Sequence, residues 1–222
     1  MSTMTRTNDS VVVVRGEQEV FRRAGRLFEN ASEITCAAND LAGWGWRQGG
    51  DGETFAYAPR PDARVRKLFR SSALLDPGWD ARIAAIRAQP GDAEIRVTTE
   101  EVNETIIIDG RVAILAGDRR MGERGYSILT LPDTVHGVAS LFESAWRSAT
   151  DLDVYDAEIA GIRMLAPRVL DLLGSGVKDE AAARMLGLSV RTYRRRVAEL
   201  MTALGADSRF QAGVRARELG LV

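Results

Sequence analysis

The stretch ETIIIDGRVAILA (104–116) constrains this chain more than any other. Two runs of β-branched and apolar residues are separated by Asp109-Gly110. That dipeptide accepts the positive φ angles of a tight hairpin turn. A hairpin with two apolar strands needs further strands and a covering layer before it is stable, so a sheet must be assembled around it. Candidates are EITCAA (33–38), RVRKLF (64–69), AEIRVTT (93–99) and YSILTL (126–131). Helical periodicity marks 14–31, where Val20, Phe21, Ala24, Leu27 and Phe28 share a face. It also marks 76–89, with Trp79, Ile83 and Ile86 on one stripe, and 133–149. Residues 11–150 therefore read as an α/β domain, a mixed sheet with flanking helices, after a polar tail at 1–10 that is expected to be disordered. A long Gly-, Pro- and aromatic-rich loop interrupts it at 41–62.

Beyond residue 150 the strand signals stop. Residues 151–165 read as a linker or linking helix, and 166–222 as a small all-α domain of four helices. Pro167 opens the first helix and Gly174-Ser175-Gly176 closes it. Asp179 is placed to cap the second and Ser189 the third, VRTYRRRVAELMTAL (190–204). Charge changes at the same point. Residues 160–222 hold 11 basic and 6 acidic side chains against 19 and 25 in the remainder, although the whole chain is near neutral at −1. A basic segment on an acidic body points to an anionic partner.

Within the third helix, Val190, Tyr193, Val197, Leu200, Met201 and Leu204 form one apolar stripe. Arg191 and Arg195 point away from it, Thr192 lies nearby, and Arg194 and Arg196 flank it. Positive charge is thus gathered in the first two turns. A helix entering the major groove by its N-terminal half needs this arrangement, since arginine pairs with guanine and with phosphate. The same arginines would also serve an ordinary solvated face, and the helix by itself leaves both uses open. Ala183, Gly187 and Tyr193 have the spacing of the small, turn and core positions of a helix-turn-helix.

This C-terminal segment resembles the LuxR-type helix-turn-helix of bacterial transcription regulators. The likeness rests on Leu172-Leu173, Gly176, Asp179-Glu180, Ala183, Leu186, Ser189, Thr192, Leu200, Leu204-Gly205, Ser208-Arg209, Gln211-Ala212 and Gly220-Leu221. It implies DNA contacts at Lys178, Ser189, Arg191, Thr192, Arg194 and Arg196, to which the outward direction of Arg195 adds that residue. It also implies dimerisation through the fourth helix, for which Phe210, Val214 and Leu219 supply a face; packing within their own domain is the alternative. The sequence departs from the family at Leu165-Ala166-Pro167-Arg168, at Tyr193 and at Arg196.

Upstream, EVNETIIIDGRVAILAG (101–117) and LFESAW (141–146) resemble a phospholipase D-like domain, in the form used as a sensor by regulators of the TrmB type. Val102 and Glu104 stand where that family's motif has His and Lys, and the chain's one histidine is His136. Phosphodiester hydrolysis there needs a histidine nucleophile and a second histidine as general acid, so the domain is expected to be catalytically inactive. Trp44, Trp46, Asn103, Glu104 and Asp109 are candidates for an effector pocket; the aromatics would equally serve to cover the sheet.

One cysteine, Cys36, excludes an intramolecular disulfide and fits a reducing cytoplasm. One Cys and one His cannot form a structural zinc site, and no cofactor is expected. The N-terminal residues lack a secretory signal pattern, and no apolar run approaches membrane-spanning length. The expectation is a cytoplasmic, nucleoid-associated homodimeric regulator, not an enzyme. Its partners would be double-stranded DNA at an inverted repeat, a small-molecule effector, and RNA polymerase if it activates. The rivals are a phospholipase D-type phosphodiesterase acting on nucleic acid, a sigma-like initiation factor, and a protein-binding module with a vestigial helix-turn-helix.

Overall fold

A computed structural model of the chain describes residues 10–38, 60–88, 91, 93–120 and 123–222. The strands are β1 (Val11–Arg15), β2 (Glu33–Ala37), β3 (Arg64–Arg70), β4 (Ala93–Thr98), β5 (Thr105–Ile108), β6 (Val112–Arg120), β7 (Glu123–Leu129) and β8 (Thr150–Asp151). The helices are α1 (Glu17–Asn30), α2 (Trp79–Arg87), α3 (Pro132–Ser148), α4 (Leu152–Arg163), α5 (Ala166–Gly174), α6 (Asp179–Met185), α7 (Val190–Ala203) and α8 (Arg209–Glu218). A 3-10 turn spans Ser71–Leu75. The sheet runs β1-β7-β6-β5-β2-β3-β4-β8, with β2 and β3 parallel. This is the mixed α/β architecture expected from the alternating runs.

Two compact units divide the chain. One comprises residues 1–68, 82–95 and 102–148; the other comprises 69–81, 96–101 and 149–222.

In the first unit, α1 lays Val20, Phe21, Ala24 and Phe28 on one face of the sheet. There they meet Ile34, Cys36, Ile106, Ile108, Ile114, Tyr126 and Ile128. Fully burying each large apolar side chain is worth about 1.5–3 kcal/mol. Successive strand residues point to opposite faces, so Arg66, next to Lys67 and opposite Thr35, emerges on the other face. Helix α3 covers that face. The Arg66 guanidinium lies 5.4 Å from the Phe142 ring centroid and 5.6 Å from that of Trp146, and pairs with Glu143 at 2.6 Å and Glu33 at 3.1 Å. Burial works against the Arg66 charge, but the two carboxylates outweigh it and its pKa is raised.

The helix expected over 14–31 begins only at Glu17, because Val11–Val14 are four β-branched residues that pair with β7. The hairpin at Asp109-Gly110 forms as expected, with φ of 49° and 61° and Thr105–Ile108 antiparallel to Val112–Leu115.

In the second unit the segment read as a linker or linking helix, 151–165, holds helix α4. Asp151 caps it by accepting from the Asp153 N–H at 2.9 Å, and its buried residues Leu152, Tyr155, Ile159 and Ile162 are helically spaced. Trp79 meets the Phe69 ring edge-on at 5.0 Å. The stripe of α7 is buried at Tyr193, Val197, Leu200, Ala203 and Leu204; Val190 and Met201 are its half-buried margins. Among the described residues no helix is long and apolar enough to cross a membrane.

Candidate nucleic-acid interface

Helix α6 ends where Gly187 takes φ +68°, a conformation that costs a residue with a Cβ about 1 kcal/mol or more. The Gly187 N–H donates to the Arg184 carbonyl at 3.1 Å, and that of Leu188 to Ala183 at 2.8 Å. This pair of bonds satisfies carbonyls that the helix end would leave open. The chain then enters α7 at Ser189, whose Oγ accepts from the Thr192 N–H at 3.1 Å and lies 2.9 Å from Thr192 Oγ1. The cap expected at Ser189 is therefore present. Both hydroxyls take part in it, and both residues stand at the N-terminal mouth of α7.

Asp179 does not cap α6, contrary to expectation. The N-cap position is Lys178, which has no side-chain cap bond. The Asp179 carboxylate instead accepts from Arg209 Nη1 and Arg194 Nε, both at 2.8 Å. Arg209 first, then Arg194, hold its pKa down at about 2. The turn between α6 and α7 is thereby held from three helices by a fork of hydrogen bonds to one carboxylate.

The arginines of α7 have separate environments. Arg191 is exposed and has no ion-pair partner among the described residues; Lys178, at the start of α6, is likewise exposed and unpaired. Arg195 is exposed, with Glu199 one turn on at 3.6 Å. Arg194 is committed to Asp179, although its side chain remains 60% exposed. Arg196, also expected among the DNA contacts, has the most enclosed environment of the four. It is only 23% exposed, pairs with Glu199 at 2.7 Å and packs its guanidinium over Gly161 of α4. Its Nε is buried without a partner. The physical reason is its position: it borders the Tyr193–Val197–Leu200 stripe on the side that α4 covers.

Sequence reasoning missed three contacts that hold the far end of α7. Ser71 Oγ donates to the Ala203 carbonyl at 2.7 Å, Arg215 Nη1 donates to that of Leu204 at 3.1 Å, and Arg215 also pairs with Glu101 at 2.7 Å. No local pattern signals the Ser71 and Glu101 contacts, whose residues lie far apart in sequence.

Of the candidates in the α/β region, Glu104 and Asp109 are not brought together. Glu104 precedes β5 and Asp109 follows it, so they stand roughly 17 Å apart at about 3.4 Å per residue. Glu104 is paired with Arg124. Asp109 accepts from the Ser32 and Glu33 N–H groups at 2.8 and 2.9 Å, fixing the hairpin to the start of β2. Asn103 is exposed, and its carbonyl accepts from Thr105 Oγ1. Trp44 and Trp46 lie outside the described residues. His136 is exposed on α3. Among the described residues no cluster of three or more His, Cys, Asp or Glu could hold a metal.

On α8, Phe210 is 84% exposed, Val214 42% and Leu219 44%, so the face is not consumed by packing within its own unit. Phe210 and Val214 line an apolar groove with Leu170, Leu173, Val177 and Val222; Leu219 lies apart from it.

No family model matches the chain. The bialaphos biosynthetic pathway regulatory protein of Streptomyces hygroscopicus is 34% identical over 167 residues. That similarity takes in 71% of this chain and 61% of the relative, so the chain spans about three-fifths of that protein's length. Among solved structures, TrmBL2, an archaeal chromatin protein with a novel mode of DNA binding, is 19% identical at a TM-score of 0.45, with 68% of this chain and 57% of that one covered. The phospholipase D family member Nuc from Salmonella typhimurium is 12% identical at a TM-score of 0.45, covering 64% and 97%. Likenesses at that level say nothing of function.

Proposed function

We propose that this chain is a cytoplasmic, homodimeric, sequence-specific DNA-binding transcription regulator of the LuxR-type helix-turn-helix kind, with α7 as its recognition helix. One observation carries the reading. At the N-terminal end of α7 the Arg191 side chain is exposed, with no carboxylate paired to it among the described residues, beside the Ser189–Thr192 cap. An ordinary solvated face interleaves signs along its length; here the first acidic residue of α7 itself is Glu199, two turns after Arg191, and it serves Arg195 and Arg196. Arg191 and Arg195 read base edges, while Lys178, Ser189 and Thr192 meet phosphate oxygens. Arg194 and Arg196 position the helix. The similarity to a protein described as a pathway regulator supports the same reading.

Phe210 and Val214, with Leu219 beside them, meet a second copy, and a dimer matches an inverted-repeat operator. The α/β region is a catalytically inactive sensor or dimerisation module: Val102 and Glu104 stand where a phosphodiesterase needs His and Lys, and His136 is the single histidine. A small-molecule effector is a further partner, as is RNA polymerase if the protein activates.

Selection of genomic fragments by the purified protein tests the proposal, followed by binding of the selected site across a salt series. An inverted repeat with a steep loss of affinity as salt rises is expected. A folded protein that enriches no sequence and binds none with salt dependence would reduce the arginines to a solvated face.

A further inference from the structure

The strand order ends in two very different edges. β8 is two residues long, a blunted edge of the kind that resists pairing. β1 is five residues long, four of them valine, with neither proline nor lysine to guard it. Its Val13 side chain is 71% exposed and that of Val11 is 52%.

The hydrogen bonds to β7 show which backbone groups of β1 remain free. Ser10 accepts from the Thr130 N–H, and the Gly16 N–H donates to Arg124, both at 2.9 Å. In an antiparallel pair the residues that exchange both bonds with the neighbour alternate with those that turn both groups away. The register Val12↔Ile128 and Val14↔Tyr126 therefore spends the even-numbered residues on β7. Val11, Val13 and Arg15 direct their N–H and C=O groups outward, and among the described residues no strand meets them.

We propose that this edge pairs with the same edge of a second copy, antiparallel about a two-fold axis at Val13, so that the two sheets become one. The edge is self-complementary in that register, as an isologous interface requires. Val11 faces Arg15 of the other copy, Val13 faces Val13, and each pair exchanges both backbone hydrogen bonds. The aliphatic stem of Arg15 covers Val11, and the exposed Val13 side chains meet on one face. Displacing the register toward α1 drops a pair, and centring it on Arg15 sets like charges opposite each other, which is destabilising. Val12 and Val14 stay with the α1 core, so the sheet need not be rebuilt. This interface is separate from α8 and stands whether or not the chain binds DNA.

The test isolates the edge by working in Phe210→Glu protein, where the exposed apolar residue of α8 is replaced by a charge. Sedimentation of Phe210→Glu is expected to give a dimer, and adding Val13→Arg a monomer with an unchanged circular dichroism spectrum. Because Val13 is exposed, the arginine disturbs the partner and not the fold. Val13→Cys under mild oxidation is expected to give a disulfide-linked dimer. Hydrogen-bonded antiparallel pairs hold their Cα atoms about 5.5 Å apart, within disulfide reach, and the native Cys36 is buried. Val11→Cys alone is expected not to cross-link, since its two copies would lie roughly 14 Å apart, while Val11→Cys with Arg15→Cys does. A monomeric Phe210→Glu protein overturns the proposal. So does a Val13→Cys protein that fails to cross-link.

Discussion

Asp179 and Arg194 are fifteen residues apart in the chain, and the Arg194 Nε donates to the Asp179 carboxylate at 2.8 Å. This bond, with the matching one from Arg209, ties the start of α6 to α7 and α8. It also separates the four arginines of the RTYRRR run by use. Arg194 and Arg196 are held by the protein, while Arg191 and Arg195 stay directed at solvent.

Replacing Asp179 with Asn removes the charge that both arginines share. Hydrogen bonds to charged groups contribute about 1.5–3 kcal/mol; partial exposure of both arginines brings the expected loss to about 1–2 kcal/mol. The sign of the pH dependence comes from the depressed pKa. The Asp179 contribution is fully present above the ordinary carboxylate value of 3.8 and is lost as pH falls through about 2. The difference in unfolding midpoint between wild type and Asp179→Asn is therefore expected to be constant from pH 7 to 5 and to close toward pH 2. A difference that persisted at pH 2 would mean that carboxylate charge is not the source.

Four single substitutions separate reading from positioning on α7. Arg191→Ala and Arg195→Ala are each expected to weaken binding to the selected operator by about 1–3 kcal/mol and leave the melting temperature unchanged. Arg196→Ala is expected to lower the melting temperature, because it strips Glu199 of its closest partner and empties the space over Gly161. Lys178→Ala is expected to weaken binding to all sequences alike and to reduce the salt slope by about one. Fluorescence anisotropy on matched and scrambled duplexes reads the binding changes, and thermal unfolding of the free protein reads the stability changes.

The parts of this structure legible in the sequence are those fixed by local chemistry. Asp109-Gly110 announces a hairpin because few other dipeptides accept two positive φ angles, and the stripe Tyr193–Val197–Leu200 announces the buried face of α7. Ser189 is recognisable as a cap because capping is decided within four residues. Asp179 has equally good credentials as a cap, and the choice between its own backbone and two arginines from other helices is made by tertiary packing. The same applies to Arg196, whose margin of the stripe is apolar or solvent-facing according to whether α4 lies over it. The four valines before Gly16 merge into the helical pattern that comes after them; their β-branching is the signal for β1. Ser71 reaches the end of α7 from 132 residues away, and Glu101 is tied to it only through Arg215, distances that no window of sequence contains.

Gly187→Ala tests the turn. The φ of +68° is strained for any residue with a Cβ, yet nothing lies within 4 Å of where that Cβ would be. The cost is therefore conformational alone, about 1 kcal/mol, and Gly187→Asn is expected to cost less because asparagine tolerates this region. Chemical denaturation measures both. A loss well above 2 kcal/mol for Ala would show that the glycine is needed for close packing instead.

Asp109 is a residue whose sequence-based role and structural role diverge, and two substitutions distinguish them. As a pocket residue it would act on a ligand; in the structure its Oδ1 accepts from the Ser32 and Glu33 N–H groups while its backbone holds φ +49°. Asp109→Ala leaves two N–H donors unmet and strains the turn, and is expected to cost about 2–3 kcal/mol. Asp109→Asn retains the amide oxygen as acceptor and tolerates the same φ, so it is expected to cost under about 1 kcal/mol, the net worth of a typical hydrogen bond. Thermal unfolding of the two variants gives the comparison. If Asn proved as damaging as Ala, the carboxylate charge at the turn would be needed, and a cationic partner for it would have to be sought. The expected order, Ala well below Asn and Asn close to wild type, assigns Asp109 to holding the β5–β6 hairpin against β2.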